Sequence, residues 1–288
     1  DTVAVTLGTS VFANTAVTSM TLPERMSNIP ARALNGMYKL QSLVLPASLT
    51  KLYEIFGIGY SEGSNYSISS ITFNGTSRLV SIEDKALQNA ANLTSFIIPD
   101  TVTTIKTQAF YRSGLQSVVI PASVSKMSIK VFNDCPNLTT AVFESETVGE
   151  DFDQAFYRCP SLTSVTLPSK LTKLPYGLFE ECHNLQSLTI PKTVKHISTD
   201  VFKNTYSLKT VTFETYTAED GADKAGKSDL KEICFNAFNN SAIQNCVLPD
   251  STNGSIAYAA QAQYIIMIMP TGVPCKSFKR GTTGVFYN

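Results

Sequence analysis

Apolar positions along the chain recur in one arrangement, at intervals close to 23 residues. From Leu115 the chain reads LQSVVIPASVSKMSIKVFNDCPN, from Leu162 LTSVTLPSKLTKLPYGLFEECHN, and from Leu185 LQSLTIPKTVKHISTDVFKNTYS. The shared pattern is L-x-S-[VL]-x-[IL]-P-x-x-[VL]-x-x-[IL]-x-x-x-[AV]-F-x-x-C. Its first position falls at Val17, Leu40, Ile68, Leu93, Leu115, Leu138, Leu162, Leu185, Leu208 and Ile243, with spacings of 23, 28, 25, 22, 23, 24, 23, 23 and 35. A sustained period of this length marks a solenoid, in which each unit buries its apolar face only by stacking on its neighbours.

The columns of the repeat predict its cross-section. The fourth and sixth positions, for example Val118 and Ile120 or Leu188 and Ile190, are apolar in every unit. Residues two apart on a strand face the same way, so a short strand with these side chains inward is expected in each turn. Stacked turns then pair the strands in parallel. Pro follows at residues 23, 46, 99, 121, 168, 191 and 249. It lacks the N–H a ladder needs and so ends the strand. The pairs Ala109-Phe110, Val131-Phe132, Ala155-Phe156, Leu178-Phe179, Val201-Phe202 and Ala237-Phe238 predict a second inward column that fills the space between two walls.

Three units depart from the pattern. The unit from Leu138 replaces the Pro corner with the acidic stretch Glu144–Asp153. The second unit carries an insertion over residues 57–67, and the ninth carries about twelve extra residues over 216–230. Both inserts are expected to be exposed loops. The expected organisation is one continuous domain: residues 1–16 a partial leading turn, 17–255 the repeats and 256–288 a closing unit. Ten turns at about 4.8 Å each give an axis of roughly 50 Å.

Composition narrows the role. With 23 basic and 23 acidic residues the chain is neutral and carries no basic stripe of the kind nucleic acid requires. No apolar run approaches the roughly 18 residues of a membrane helix. Asp1 to Ser10 lack the basic start and apolar stretch of a signal peptide, so any targeting segment is expected to lie outside this chain.

The steps L-x-x-V-x-I-P and A-F-x-x-C, with Met269-Pro270-Thr271-Gly272 leading to Phe278-Lys279, resemble the BspA-type leucine-rich repeats, also called the Treponema pallidum class. The resemblance extends from about Thr2 to Lys279. It implies a right-handed leucine-rich-repeat solenoid, placed by convention among α/β solenoids though mostly β. It also implies an extracellular or cell-surface setting, no catalytic residues, no cofactor, and a protein partner such as a host surface or matrix protein.

Candidate chemistry is sparse. Cys182 precedes His183, but it shares a column with Cys135 and Cys159 and is expected to point inward, as a reduced core thiol. His196 is expected to be solvated. No zinc spacing, nucleophile elbow or phosphate loop occurs. The acidic stretch Glu144–Asp153 lacks the ligand register of a calcium loop, and no metal site is expected.

The outward side of the strands is more informative. Its second, third and fifth columns hold thirty residues, almost all Ser, Thr, Gln, Val or Ile, with Lys209 as the single charge and no aromatic ring. β-branched and hydroxyl residues suit a half-exposed strand on structural grounds alone. The other reading is a neutral docking surface, centred on Ser95, Ile97, Ser117, Val119, Ser164, Thr166, Ser187 and Thr189. Two alternatives to a binding module stay open: a structural spacer or assembly unit, and the non-catalytic repeat region of a larger surface enzyme.

Overall fold

The computed structural model describes residues 7–57, 66–149, 151–234, 236–243, 245–251, 255–259, 266–268 and 283–287, with side-chain surroundings given through Ile243 and at Leu248 and Pro249. The chain winds as a stack of β-rich turns with one short 3₁₀ segment, Ala218–Asp220. Equivalent repeat positions pair in parallel. Ser19, Ser42 and Ser70 are partners, as are Ser117, Thr140 and Ser164, and then Ser187 and Thr210. The expected register therefore holds, and with it the alternation of outward and inward side chains.

This front wall is not one uninterrupted sheet. Ser19–Thr21, Ser42–Pro46 and Ser70–Asn74 form one sheet, and Ser117–Ile120, Thr140–Phe143 and Ser164–Thr166 a second. Ser187–Ile190 pairs with Thr210–Phe213, and Asn245–Val247 with Ile266–Ile268. Between the first two sheets, Leu93–Ile98 keeps the inward burial of Phe96 and Ile98 but forms no strand. The fourth turn lies between spacings of 25 and 22 residues. The short turn that follows draws Gly114 against the turn before it: a Cβ there would lie 2.0 Å from the Ala91 carbonyl oxygen.

A second wall runs along a further inward column, nine residues after the fourth position in the regular turns and further on where a turn is extended. Lys51–Leu52, Ser81–Ile82, Thr104–Ile105 and Lys126–Met127 form a parallel sheet. Lys173–Leu174, His196–Ile197, Glu232–Ile233 and Ser255–Ala259 form another, closed by the antiparallel Thr283–Tyr287. The irregular sixth turn bridges the two by a bond from Met127 N–H to the Val148 carbonyl at 3.2 Å. Isoleucine and leucine in this column are fully buried.

The third side is the Phe column. Phe110, Phe132, Phe156, Phe179, Phe202 and Phe238 stack with centroids 5.0–5.9 Å apart and ring planes within 15°. Each pair is flanked by two residues at positive φ, four apart: Lys130 and Asp134, Gln154 and Arg158, Gly177 and Glu181, Asp200 and Asn204. This paired left-handed bend turns the backbone so that its N–H groups reach the next turn. Lys130 donates to the Asp153 carbonyl, Phe132 to Ala155 and Asp134 to Tyr157, at 2.8–2.9 Å. All three sides are thus tied along the axis by backbone hydrogen bonds.

Candidate functional site

The eight residues singled out on the outward strand face are all exposed. Strand pairing sets six of them in two ladders. Ser117, Thr140 and Ser164 stack in one column, and Val119, Val142 and Thr166 in the next. Ser187 and Thr189 pair with Thr210 and Thr212 one turn further on. Ser95 and Ile97 stand on the front segment of the fourth turn, which forms no strand. Thr140 and Val142 belong to the same face, and the sequence-based selection passed over them although they occupy its columns.

The fifth column has a spine that composition alone does not show. Ile97 is 86% exposed, Val119 49% and Val142 37%. Three aliphatic side chains on consecutive turns project outward, and Thr166, Thr189 and Thr212 continue the column as hydroxyls. The span from Ile97 to Val142 is about 10 Å at the usual strand separation.

The thiol–imidazole pair separates as expected. Cys182 is fully buried, and burial pushes its thiol up to about 12. His183 turns outward and stacks on Tyr206 at 5.0 Å between centroids. Cys135, Cys159 and Cys182 are free and buried. His196 is half-exposed, with Nδ1 3.3 Å from a Glu232 carboxylate oxygen. Cys246 and Cys275 lie outside the residues whose side chains are described. Among the described residues no cluster of three His, Cys, Asp or Glu could hold a metal ion, and no helix is long and apolar enough to cross a membrane.

The acidic corner is anchored from within. Val148 and Phe152 are fully buried, while Glu144 and Glu146 face outward and Glu146 pairs with Lys170 at 2.6 Å. The ninth-turn insert leaves the wall between Tyr216 and Lys227: the Tyr216 N–H donates to the Lys227 carbonyl at 2.8 Å, and the Tyr216 carbonyl accepts from the Gly226 N–H at 2.9 Å. Residues 217–226 are exposed except for Gly221, but the exposed loop expected over 216–230 ends there: Lys227–Ser228 is a strand, and Ser228 and Leu230 are buried. Lys192 holds the insert by an ion pair to Asp220 at 2.6 Å and by its ammonium over the Tyr216 ring at 4.9 Å. In the second turn, residues 58–65 lie outside the described chain. The expectation of an exposed loop fails at the flanks, where Gly57 and Tyr66 are buried. Tyr66 stacks on Tyr38 at 5.3 Å and donates its hydroxyl to the Phe56 carbonyl.

Stacked parallel strands, a buried Leu/Ile/Phe interior and turns of about 23 residues define a leucine-rich repeat protein. More narrowly, the chain belongs to the BspA type leucine rich repeat family, whose model matches residues 5–139 and 143–219 in six copies. No curated protein matches the chain. A leucine-rich repeat protein from Bacteroides ovatus ATCC 8483 shares the fold, with a TM-score of 0.58 at 19% identity over 83% of this chain and 68% of that one. A Treponema pallidum leucine rich repeat protein aligns at 26% identity over 66% of this chain and 78% of its own, with a TM-score of 0.45.

Proposed function

We propose that this chain is a protein-binding module of a cell surface or secreted protein, and that it docks its partner on the outward strand face rather than catalysing a reaction. The observation that carries this reading is the exposed spine Ile97–Val119–Val142, set among uncharged hydroxyl and amide side chains. Aliphatic side chains held outward on consecutive turns offer apolar area that a partner removes from water. The strands that carry Val119 and Val142 are hydrogen-bonded to each other, so little ordering is required on binding. Membership of a leucine-rich repeat family supports a protein as the partner, since concave repeat surfaces are the usual docking surfaces of such solenoids.

The test is a pull-down against host surface and matrix proteins, followed by titration of any partner with Val119→Lys and Thr166→Lys. Both side chains are exposed, so circular dichroism and melting should match the parent. Loss of binding with the fold intact supports the docking face. Unchanged affinity in these variants, with loss on removing residues 217–226, would assign the function to the insert and reduce the strand face to scaffold.

A further inference from the structure

The front wall opens between the ninth and tenth turns. The repeat start positions there are 35 residues apart rather than 23, because of the insert. Thr210–Phe213 pairs with the strand before it, while Asn245–Val247 pairs with the strand after it, and among the described residues the two share no ladder. Between them lies a cleft of about 370 Å³, lined by Lys209, Thr210, Thr212, Phe213, Thr215 and Pro249 among others.

The lining has a definite chemistry. Lys209 is the single charge among the thirty outward strand positions, and it makes no ion pair among the described residues. Its ammonium calls for one anionic group. Thr210, Thr212 and Thr215 are exposed hydroxyls that both donate and accept, as alcohol hydroxyls of a ligand do. Phe213 is only half-buried, whereas Ile120 and Ile190 in the same column are fully covered. The half-buried ring, lining the cleft with Pro249, offers apolar area that suits the C–H side of a saturated ring. The volume is near the lower end of ligand pockets, roughly 300–1,000 Å³, and so fits one ring rather than a chain of them.

We propose that this cleft binds an acidic sugar residue, with its carboxylate on Lys209, its hydroxyls on the threonines and its C–H face on Phe213. A phosphorylated sugar brings more charge than one lysine matches. The site is separate from the spine Ile97–Val119–Val142 and does not rest on the docking role of that spine.

The experiment is titration of the full chain with glucuronate, glucose and propionate, followed by NMR or calorimetry. Glucuronate should saturate with a Kd on the order of 1 mM, and both glucose and propionate should bind at least about ten-fold more weakly. Lys209→Met should weaken glucuronate about ten-fold or more, and Thr212→Val several-fold. Val119→Lys should change nothing. All three side chains are exposed, and circular dichroism checks the fold. Absence of saturable glucuronate binding overturns the proposal, as does equal affinity in Lys209→Met. Equal affinity for propionate overturns the sugar assignment and leaves a simple carboxylate site.

Discussion

The Cys159 thiol donates to the carbonyl oxygen of Phe132, one turn earlier, at 3.1 Å. Cys182 does the same to Phe156 at 3.1 Å, and Cys135 to Phe110 at 3.2 Å. The Cys of the A-F-x-x-C step is therefore neither a disulfide half nor a nucleophile. It is a small apolar donor that satisfies a buried carbonyl. Two other residues of the column, Ser113 and Thr205, also bring a short side chain with a donor, whereas Met37 and Ala90 only fill the space; Thr205 bonds Phe202 within its own turn at 2.6 Å.

Replacing Cys159 by Val should cost about 1–3 kcal/mol, because the Phe132 carbonyl is left buried without its partner. Cys159→Ser should cost less, since the donor remains. Urea unfolding measures both. The same geometry predicts that iodoacetamide leaves Cys135, Cys159 and Cys182 unlabelled in the native protein, while half-buried Cys234 reacts ahead of these three. Burial raises the Cys182 thiol to about 12, so its thiolate is absent at neutral pH. A Cys135–Cys159 disulfide in non-reduced peptide mapping would refute this account.

The walls were legible in the sequence to different degrees, for physical reasons. Leu188, Ile190 and Phe179 announce themselves because burial demands apolar residues at fixed positions, and the front and Phe columns follow. The second wall showed only as one apolar column, since a two-residue strand such as Lys173–Leu174 contributes a single inward side chain. The paired left-handed bends were not readable: Lys130, Gln154 and Asp200 sit at φ 53–58° without the glycine that usually signals it. Their conformation is imposed by packing of the Phe between them and by the bonds to the next turn. The break at the fourth turn was equally hidden, because Phe96 and Ile98 preserve the inward pattern while the backbone leaves the ladder. In the candidate face, the outward columns were legible and the exposed spine was not, since the protrusion of Ile97 follows from that same break.

These bends make a prediction of their own. A non-glycine residue in the left-handed region costs about 1–2 kcal/mol, and the column already holds Gly177 at φ 57°. Lys130→Gly relieves that strain but adds unfolded-state entropy of about 0.4–1 kcal/mol. The net should be neutral to about 1 kcal/mol stabilising. Lys130→Val should destabilise by more than 1 kcal/mol or so, because a β-branched side chain fits this region worst. Thermal melts resolve the two, at about 2–4 °C per kcal/mol for a chain of this size. A glycine variant that melts well below the parent would show that Lys130 contributes contacts beyond its backbone.

The ninth-turn insert should be dispensable for stability and sensitive to acid. Removing residues 218–225 and closing the gap with Gly should shift the melting temperature by no more than about 2–4 °C, because surface loops tolerate changes of length. Asp220 is held at about 2, first by the Lys192 ammonium and then by the Thr217 N–H. A carboxyl depressed on folding contributes its pairing above the unfolded value of 3.8 and loses it as pH falls through about 2. The insert should therefore stay docked at pH 4 and release near pH 2, which limited proteolysis with pepsin would show as cleavage confined to 217–226 at the lower pH. Cleavage there at pH 4, or a large loss of melting temperature on deletion, would mean that Lys192 and Asp220 do not hold the insert as drawn.

Salt separates the two binding surfaces assigned to the front wall. Across the central turns the outward columns carry no charge, so a partner docked on Val119 and its neighbours gains nothing that salt can screen. Its affinity should change less than about two-fold between 50 and 500 mM NaCl, and association should be unsteered, at about 10⁵–10⁶ M⁻¹s⁻¹. Raising salt strengthens apolar burial if it does anything. An acid held by Lys209 behaves oppositely: its single exposed ion pair is screened as the Debye length falls from about 10 Å to a few ångströms, so its binding should weaken several-fold over the same range. Surface plasmon resonance for the protein partner and NMR titration for the sugar give the two slopes. A steep salt dependence for a partner that still fails to bind Val119→Lys would mean that contacts outside the strand face, such as the Arg112–Asp134–Arg158 ladder on the side of the Phe column, take part in its recognition.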